Sequence, residues 1–394
     1  MKFTLRSLVL TSVLTAALSA ADPRLSGITA ALQPALDEKE IAGAVTLVIS
    51  REKVLHFETH GFADLATQRA MTPDTMFNIM SMTKLMTATA VLMLQDEGKL
   101  KLTDPVAKYI PAFATLKSPS GQPANLTLLQ ILTHISGLGE ASAAAAREAR
   151  TLADLVPLWI AAPMQNEPGV KWRYCQSGIN AAARIVEIVS GKSFDEFLHT
   201  RLFVPLDLKH TTYYPSAEQL TYLATAYTKN KTTGTLEAVP ASPPARGTRP
   251  PTGNAGLYSS AHDYARFCQM LLNGGTFNGQ RYLSPVALKL LCTSQTPADM
   301  PTGFFQNDTY GQRGTNYGWG IGTCILKVPH PGVAAMLAPG SYGHGGAWGT
   351  QAWVDPVRGV AYILMVQRTN FPNSDASDVR RAFQKAAADA IDVN

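Results

Sequence analysis

The chain has 394 residues, of which 46% are hydrophobic, and its 34 Lys and Arg residues against 29 Asp and Glu residues give a formal net charge of +5. This length and composition suit one large globular domain or two domains that share a core. The basic residues are scattered along the chain and no motif of a nucleic-acid-binding module occurs, so we expect no nucleic-acid partner.

The N-terminal segment has the pattern of a signal peptide. Lys2 and Arg6 come before an uncharged apolar run at 8–18, and small residues at 19–21 come before Asp22. The apolar run is shorter than the roughly 20 residues that a membrane-spanning helix needs. We therefore expect residues 1–21 to be removed and the mature chain to be periplasmic or secreted, with no stable membrane anchor.

Cysteine and histidine usage predicts neither a disulfide scaffold nor a metal site. The four cysteines are too few and too widely spaced for a disulfide framework, although export would permit one pair. The sequence has no Cys-x-x-Cys and no His-Glu-x-x-His pattern, and its eight histidines are dispersed. We expect no metal and no cofactor.

The first hundred residues predict two helices and a β-hairpin. Apolar residues at helical intervals indicate a helix over 24–41. Two β-rich runs at 44–50 and 54–60, separated by a charged turn, predict the hairpin. A long apolar stretch then predicts a buried helix from Thr75 to Gly98.

The middle of the chain is predicted to be mainly helical and its end to be β-rich. Helices are expected over 126–134, 140–162, 180–202, 260–272 and 284–291, and the proline-rich stretch 239–252 is expected to be a loop. Strands are expected over 317–324, 347–354 and 360–366, before an amphipathic helix over 374–391. This order predicts an α/β domain formed by 22–100 plus 306–394, with a mainly helical domain inserted at 101–305.

One lysine stands out in the predicted helix that begins at Thr75. Between Thr75 and Gln95 Lys84 is the only charged residue, and a buried ammonium costs several kcal/mol unless it is paired or its pKa is lowered. Ser81 lies three residues earlier, so hydroxyl and amine share one helical face. This arrangement suits a nucleophile beside its base near a helix start. The alternative is that Ser81 only caps the helix and Lys84 reaches solvent.

Two later stretches carry further candidate residues. Tyr174 lies in a loop between predicted helices, where its phenol could relay protons if a lysine amine were close, although a buried tyrosine can equally be structural. His344, Gly345 and Gly346 lie where glycines enter a predicted strand, which indicates close approach of a ligand or another segment. The alternative for this stretch is a bulged edge strand with a surface histidine.

Together these residues resemble the serine β-lactamase and penicillin-recognising family, in particular its class C-like branch, which includes family VIII carboxylesterases and D-amino-acid peptidases. Residues 81–84, Ser-Met-Thr-Lys, match the family's Ser-x-x-Lys; residues 174–176, Tyr-Cys-Gln, lie where the branch has Tyr-x-Asn; residues 344–346, His-Gly-Gly, lie where β-lactamases have Lys-Thr-Gly. The resemblance covers nearly the whole mature chain. Three stretches look like further markers of the branch: 132–138, 168–172 and 253–259.

The resemblance implies a central antiparallel sheet flanked by helices, next to an α-domain, with the site in the cleft between them. It implies that Ser81 is the acylated nucleophile and that Lys84 and Tyr174 share the acid and base work, in a division that stays open. It also implies an oxyanion hole made by the backbone N–H groups of Ser81 and Ala347. The substrate-binding residues implied in the same way are Gln176, His344, Gly345 and Gly346.

Two departures from the family pattern bear on substrate choice. Gln176 replaces an Asn and is one methylene longer. His344 replaces a permanent cation, and with an ordinary pKa of about 6.5 it would be mostly neutral at pH 7, which weakens attraction for a substrate carboxylate.

We therefore expect an exported serine hydrolase that acts on a small ester, amide or peptide and most resembles a carboxylesterase. The alternatives are a D-amino-acid peptidase or weak β-lactamase, and a catalytically silent binding or scaffold homologue. An α/β-hydrolase is disfavoured because no Gly-x-Ser-x-Gly occurs. The sequence predicts neither the natural substrate nor the oligomeric state.

Overall fold

The computed structural model describes residues 22–240, 242–302, 316–329, 336–371 and 377–392. The predicted signal peptide, residues 1–21, lies outside these residues. Among these residues, none of the helices has the length and hydrophobicity that a membrane span requires.

The strands of the described residues belong to one large sheet and three two-stranded pairs. In chain order they are β1 (Gly43–Ser50), β2 (Val54–Asp64), β3 (Arg69–Ala70), β4 (Met76–Asn78), β5 (Tyr227–Lys229), β6 (Leu236–Ala238), β7 (Tyr258–Ser260), β8 (Thr276–Phe277), β9 (Gln280–Arg281), β10 (Tyr317–Trp319), β11 (Cys324–Leu326), β12 (Tyr342–Gly345), β13 (Gln351–Asp355) and β14 (Val360–Met365). The large sheet has eight strands in the order β10-β11-β12-β13-β14-β1-β2-β3, and its neighbours are antiparallel.

The α-helices lie before, between and after these strands. They are α1 (Gly27–Asp37), α2 (Thr83–Asp96), α3 (Leu128–Leu132), α4 (Ala143–Glu148), α5 (Val156–Ala161), α6 (Gln176–Ser190), α7 (Phe194–Leu198), α8 (Ala217–Leu220), α9 (Ala261–Leu272), α10 (Pro285–Cys292) and α11 (Asp378–Asp392).

The two ends of the chain meet at the centre of the large sheet, where β1 pairs with β14. Strand β1 is apolar and largely buried because it has helices on both faces. Its residues Val45, Leu47 and Ile49 belong to the core cluster that contains α2, α6 and α9, whereas Val48 packs with α1 and α11. The predicted α/β class with a central antiparallel sheet flanked by helices is therefore confirmed.

Helix α9 lies within the range that the sequence assigns to the inserted domain, 101–305, yet it contacts β1 and β14. The boundaries of the two domains stay a prediction. The predicted hairpin over 44–60 matches β1 and β2, and the proline-rich stretch 239–252 contains no helix or strand among its described residues.

Several element boundaries differ from those predicted. The segment from Thr75 begins as strand β4, which pairs with β7, and the α-helix starts only at Thr83. The predicted strand over 317–324 is a hairpin, because Gly322 has a φ of +67° and turns the chain back. The predicted strand over 347–354 starts at Gln351, because Gly349, with a φ of +96°, closes a turn before it.

Candidate active site

Ser81 lies in a short 3-10 turn, Met80–Met82, between strand β4 and helix α2. Met80 has a φ of +47°, which is rare for a residue with a side chain, and this conformation aims the next residue out of the helical path. Two side chains hold the turn: Asn78 Oδ1 accepts from the N–H of Met80 at 3.1 Å, and Thr83 Oγ1 donates to the Met80 carbonyl at 2.7 Å. Ser81 is thus half-buried at a fixed position rather than at the cap of α2.

Lys84 is fully buried in the first turn of α2, and its amine has polar partners. Its Nζ donates to Ser81 Oγ at 3.0 Å and to the carbonyl oxygen of Asn254 at 2.8 Å. The same Nζ lies 4.7 Å from the centroid of the Tyr174 ring, within range of a cation–π interaction. These contacts offset the cost of burying the amine. The alternative interpretation, in which Lys84 reaches solvent, is therefore wrong.

Asn254, which the sequence did not single out, connects the first two motifs. Its N–H donates to Asn180 Oδ1 at 3.0 Å, and its side-chain Nδ2 donates to Gln176 Oε1 at 3.0 Å. Gln176 and Asn180 both lie on α6, one turn apart, so this helix holds Asn254 through two hydrogen bonds. The carbonyl oxygen of Asn254 accepts a third hydrogen bond, from the Lys84 amine. The longer side chain of Gln176 therefore has a defined partner in this chain.

Tyr174 and His344 form a direct contact between the second and third motifs. The Tyr174 hydroxyl lies 3.2 Å from His344 Nε2, and His344 Nδ1 lies 2.6 Å from the carbonyl oxygen of Gly345. A carbonyl can only accept, so His344 carries its proton on Nδ1, and Nε2 accepts from the Tyr174 hydroxyl. His344, which the resemblance places among the substrate-binding residues, is almost completely buried, and its N–H donates to the Gly345 carbonyl oxygen.

Burial sets the charge of His344. It lowers the pKa of this histidine to about 3, and the nearby positive charge of Lys84 acts in the same direction. The imidazole is therefore neutral not only at pH 7, as the sequence predicts, but throughout the range in which the protein would be assayed.

Residues 344–346, at the end of β12, pack against the turn that contains Ser81. Gly345 and Gly346 are buried, and a Cβ on Gly346 would lie 2.6 Å from the carbonyl oxygen of Ile79. Thr350 Oγ1 also donates to the Ile79 carbonyl, at 3.3 Å. Ala347 is exposed in the turn after β12. This packing brings the segments of Ser81 and Ala347 together, and their role as an oxyanion hole stays a prediction.

Sequence reasoning gave no role to three residues that border Lys84 and Tyr174. Asn254 receives Lys84, and His134 and Trp319 pack against the Tyr174 ring, with centroids 4.6 and 5.9 Å away. His134 and Asn254 lie in two of the stretches that resemble family markers, 132–138 and 253–259. This resemblance is the sequence feature that could have identified them as site residues. Their roles depend on contacts between distant segments, which no local pattern reveals.

The described residues contain no group of three or more His, Cys, Asp or Glu side chains that could hold a metal ion. Cys175, next to Tyr174, is a buried thiol, and burial raises its pKa to about 12. It is therefore protonated at neutral pH and is not a candidate nucleophile.

Comparison with known proteins assigns this chain to one family. A family model described as Beta-lactamase matches residues 28–387. Protein Rv1367c of Mycobacterium tuberculosis is 30% identical over 378 residues, which cover 90% of this chain and 92% of that protein.

Two solved structures share the fold at lower identity. EstCE1, described as a hydrolase with promiscuous acyltransferase activity, has a TM-score of 0.77 and 22% identity, over 93% of this chain and 100% of that chain. Simvastatin synthase (LovD) from Aspergillus terreus has a TM-score of 0.76 and 19% identity, over 93% of this chain and 98% of that chain. At these identities the likeness concerns the fold alone.

Proposed function

Because the chain belongs to the beta-lactamase family, whose members are serine hydrolases of small ester, amide or peptide substrates, we propose that it cleaves an ester or small amide through an acyl-enzyme on Ser81. The observation that carries the proposal is the 3.0 Å hydrogen bond between the fully buried Lys84 amine and Ser81 Oγ. A nucleophile hydrogen-bonded to a potential base is the arrangement that covalent catalysis requires.

In the proposed reaction Ser81 Oγ attacks the substrate carbonyl carbon while its proton passes to the unit formed by Lys84 and Tyr174. The backbone N–H groups of Ser81 and Ala347 would hold the oxyanion of the tetrahedral intermediate. The same unit returns the proton to the leaving alcohol or amine as the carbonyl–heteroatom bond breaks. Water then attacks the acyl-enzyme and gives a proton to the unit, and the unit passes this proton to Ser81 Oγ as the acyl–oxygen bond breaks and the acid leaves.

The neutral state of His344 supports an ester without a carboxylate as the preferred substrate. The family position that holds a cation in β-lactamases holds here a buried imidazole with a pKa lowered to about 3, hydrogen-bonded to Tyr174 and Gly345. Such a group offers no charge to a substrate carboxylate. We therefore propose a carboxylesterase-like activity.

One observation favours an amide or peptide substrate as second candidate. The side-chain amides of Gln176 and Asn254, both half-buried, meet beside Lys84 and use one donor and one acceptor on each other. The remaining donor and acceptor of this pair could accommodate an amide group of a D-amino-acid peptide or a β-lactam side chain.

Export of the chain is also proposed, on the pattern of residues 1–21.

A substrate panel tests the proposal. The purified mature chain and Ser81→Ala are assayed with p-nitrophenyl butyrate, a D-alanine anilide and a chromogenic cephalosporin. We expect kcat/KM to be highest for the butyrate ester and turnover to be absent in Ser81→Ala. Faster cleavage of the anilide or the cephalosporin would favour the second candidate, and no turnover of any compound by the folded chain would favour a silent binding homologue.

A further inference from the structure

We propose that His134 is a positioning residue for Tyr174: its backbone and its imidazole hold the chain on both sides of Tyr174 and its ring supports the phenol. This assignment rests on the hydrolase function proposed above, in which Tyr174 handles protons. His134 is fully buried and lies just after α3, forty residues before Tyr174.

Two hydrogen bonds bracket Tyr174. The N–H of Arg173 donates to the carbonyl oxygen of His134 at 2.8 Å, and the N–H of Cys175 donates to His134 Nδ1 at 3.0 Å. The residues immediately before and after Tyr174 are thus fixed to one and the same residue. The peptide group that follows Tyr174 and the one that precedes Arg173 are both held, which limits the direction of the Cα–Cβ bond of Tyr174.

The imidazole also limits where the phenol ring can go. The His134 ring centroid is 4.6 Å from that of Tyr174, with a tilt of 38°, and 4.9 Å from that of Trp319, to which it is nearly perpendicular. Trp172 adds a further edge contact, with its ring centroid 5.8 Å from that of His134. His134 therefore lies inside an aromatic cluster one side of which is the face of Tyr174.

The hydrogen bond that the His134 imidazole accepts comes from the segment that contains Tyr174. Nδ1 accepts a hydrogen bond, so the proton of the neutral ring is on Nε2, and Nε2 makes no hydrogen bond to any of the described residues. Burial, and after it the positive charge of Lys84, lower the pKa of His134 well below its ordinary value, so Nδ1 remains an acceptor at neutral pH. A leucine of similar size could fill the space but could not accept from Cys175.

The backbone of His134 shows a further constraint. Its φ is +62°, a conformation that costs free energy in residues other than glycine and for which asparagine is comparatively well suited. Strained residues of this kind persist where the surrounding structure determines them, often at functional sites. Asparagine at this position would retain both the backbone conformation and a side-chain acceptor, which gives a conservative variant.

Loss of the bracket should displace the hydroxyl of Tyr174 from its site partners. That hydroxyl is 3.2 Å from His344 Nε2, and the ring has the Lys84 amine 4.7 Å from its centroid. A shift of about 1 Å in a catalytic group can cost on the order of 10²-fold in rate. We therefore expect His134→Leu to lower kcat about 10²-fold with little change in KM, and His134→Asn to retain kcat to within about tenfold.

The test compares these variants with Tyr174→Phe, the double variant His134→Leu/Tyr174→Phe and a matched control, His56→Leu. His56 is also a buried neutral histidine, but it lies on β2 and interacts with Thr46. We expect the double variant to be no more than about threefold slower than Tyr174→Phe, because His134 acts through Tyr174. We expect the control to lower the melting temperature while ester kcat stays near that of the native chain.

Multiplicative losses in the double variant, or equal losses of kcat in His134→Leu and the control, would overturn the proposal. A crystal structure of His134→Leu supplies a readout that needs no activity: we expect the distance from the Tyr174 hydroxyl to His344 Nε2 to increase beyond hydrogen-bonding range. An unmoved Tyr174 would also overturn it. If the native chain hydrolyses no ester, the proposed function fails, and this distance still decides the role of His134.

Discussion

The hydroxyl of Tyr174 donates to His344 Nε2 across 3.2 Å, and this bond joins two segments that are 170 residues apart in the chain. His344 can accept because its other nitrogen donates to the carbonyl oxygen of Gly345. Tyr174 therefore has the Lys84 amine over its ring and a neutral imidazole at its hydroxyl. His344 therefore belongs to the hydrogen-bond network of the proposed proton-handling unit, and its neutral imidazole offers no charge to a substrate carboxylate.

Lys84 and Tyr174 should behave as one unit in kinetics. Lys84→Met and Tyr174→Phe should each lower kcat/KM for a short-chain ester by roughly 10²–10⁴, the range of general acid–base catalysis. The double variant should lose less than the product of the two effects, because groups that act together are not additive. Steady-state assays of the four proteins provide the numbers. Two effects that multiply would mean that the residues act independently.

The charge at position 344 should influence substrate class. His344→Lys introduces a cation that could hold a substrate carboxylate through a charge-assisted hydrogen bond worth roughly 1.5–3 kcal/mol. We expect the ratio of kcat/KM for a carboxylate-bearing β-lactam to that for a neutral ester to rise about ten- to a hundredfold. Both reactions should also slow, because the lysine ammonium group cannot accept a hydrogen bond from Tyr174 as the imidazole does.

The pH dependence of that ratio provides the control. With a pKa of about 3, the native imidazole has no charge to lose between pH 6 and 8, so the gain should be the same throughout this range. A gain confined to pH above 7 would indicate that His344 titrates near its ordinary pKa. An unchanged ratio in a folded variant would show that position 344 does not face the substrate carboxylate.

Some features of the site follow from the sequence because they are local. The spacing of Ser81 and Lys84 brings amine and hydroxyl to 3.0 Å, as predicted, although the backbone there is a 3-10 turn and not the expected helix. The apolar strand β1 and its hairpin with β2 follow from hydrophobic pattern, whereas the central antiparallel sheet was implied by the family resemblance. The unusual φ of Met80 did not follow, because methionine carries no local preference for it.

Other features depend on which segments meet, and no local pattern contains that information. His344 was expected to be mostly neutral at pH 7 and to bind substrate, since an isolated histidine has a pKa near 6.5. Its burial and its contacts with Tyr174 and Gly345 follow from the assembly of β12 against α2 and against the segment that precedes α6. The hydrogen bonds of Asn180 and Gln176 with Asn254 likewise depend on which distant segments meet.

Gly346 should tolerate no side chain. In Gly346→Ala the added Cβ would lie 2.6 Å from the carbonyl oxygen of Ile79 and would also meet Thr350 Oγ1, so β12 and the Ser81 turn must separate. We expect kcat/KM for the ester to fall at least about 10²-fold, as for other displacements of about 1 Å at a reacting centre. Gly27→Ala is the matched control, because a Cβ there meets nothing within 4 Å. Equal activity of the two variants would contradict the close approach.

Buried histidines should make the fold sensitive to mild acid. Burial lowers the pKa of His56 to about 4 and of His344 to about 3, so below pH 6.5 the unfolded chain binds protons that the native chain does not. The free energy of unfolding should therefore fall as pH decreases from 7 to 5, by about 1–2 kcal/mol for each such histidine. Carboxylates with a lowered pKa, such as Asp64, act only at lower pH.

Urea unfolding of the native chain and of His56→Gln at pH 7 and pH 5 measures this effect. The variant should lose less stability on acidification than the native chain, because one of the contributing groups is gone. Equal losses in the two proteins would show that His56 has an ordinary pKa in the folded state.

Covalent labelling of Ser81 tests the central claim most directly. The mature chain is incubated with a fluorophosphonate, its intact mass is measured, and the modified peptide is identified. We predict a single adduct on the peptide that contains Ser81, no adduct in Ser81→Ala, and much slower labelling in Lys84→Met, in which the unit that takes the proton from Ser81 Oγ is incomplete. An adduct that persists in Ser81→Ala, or one that maps to another residue, would contradict the account.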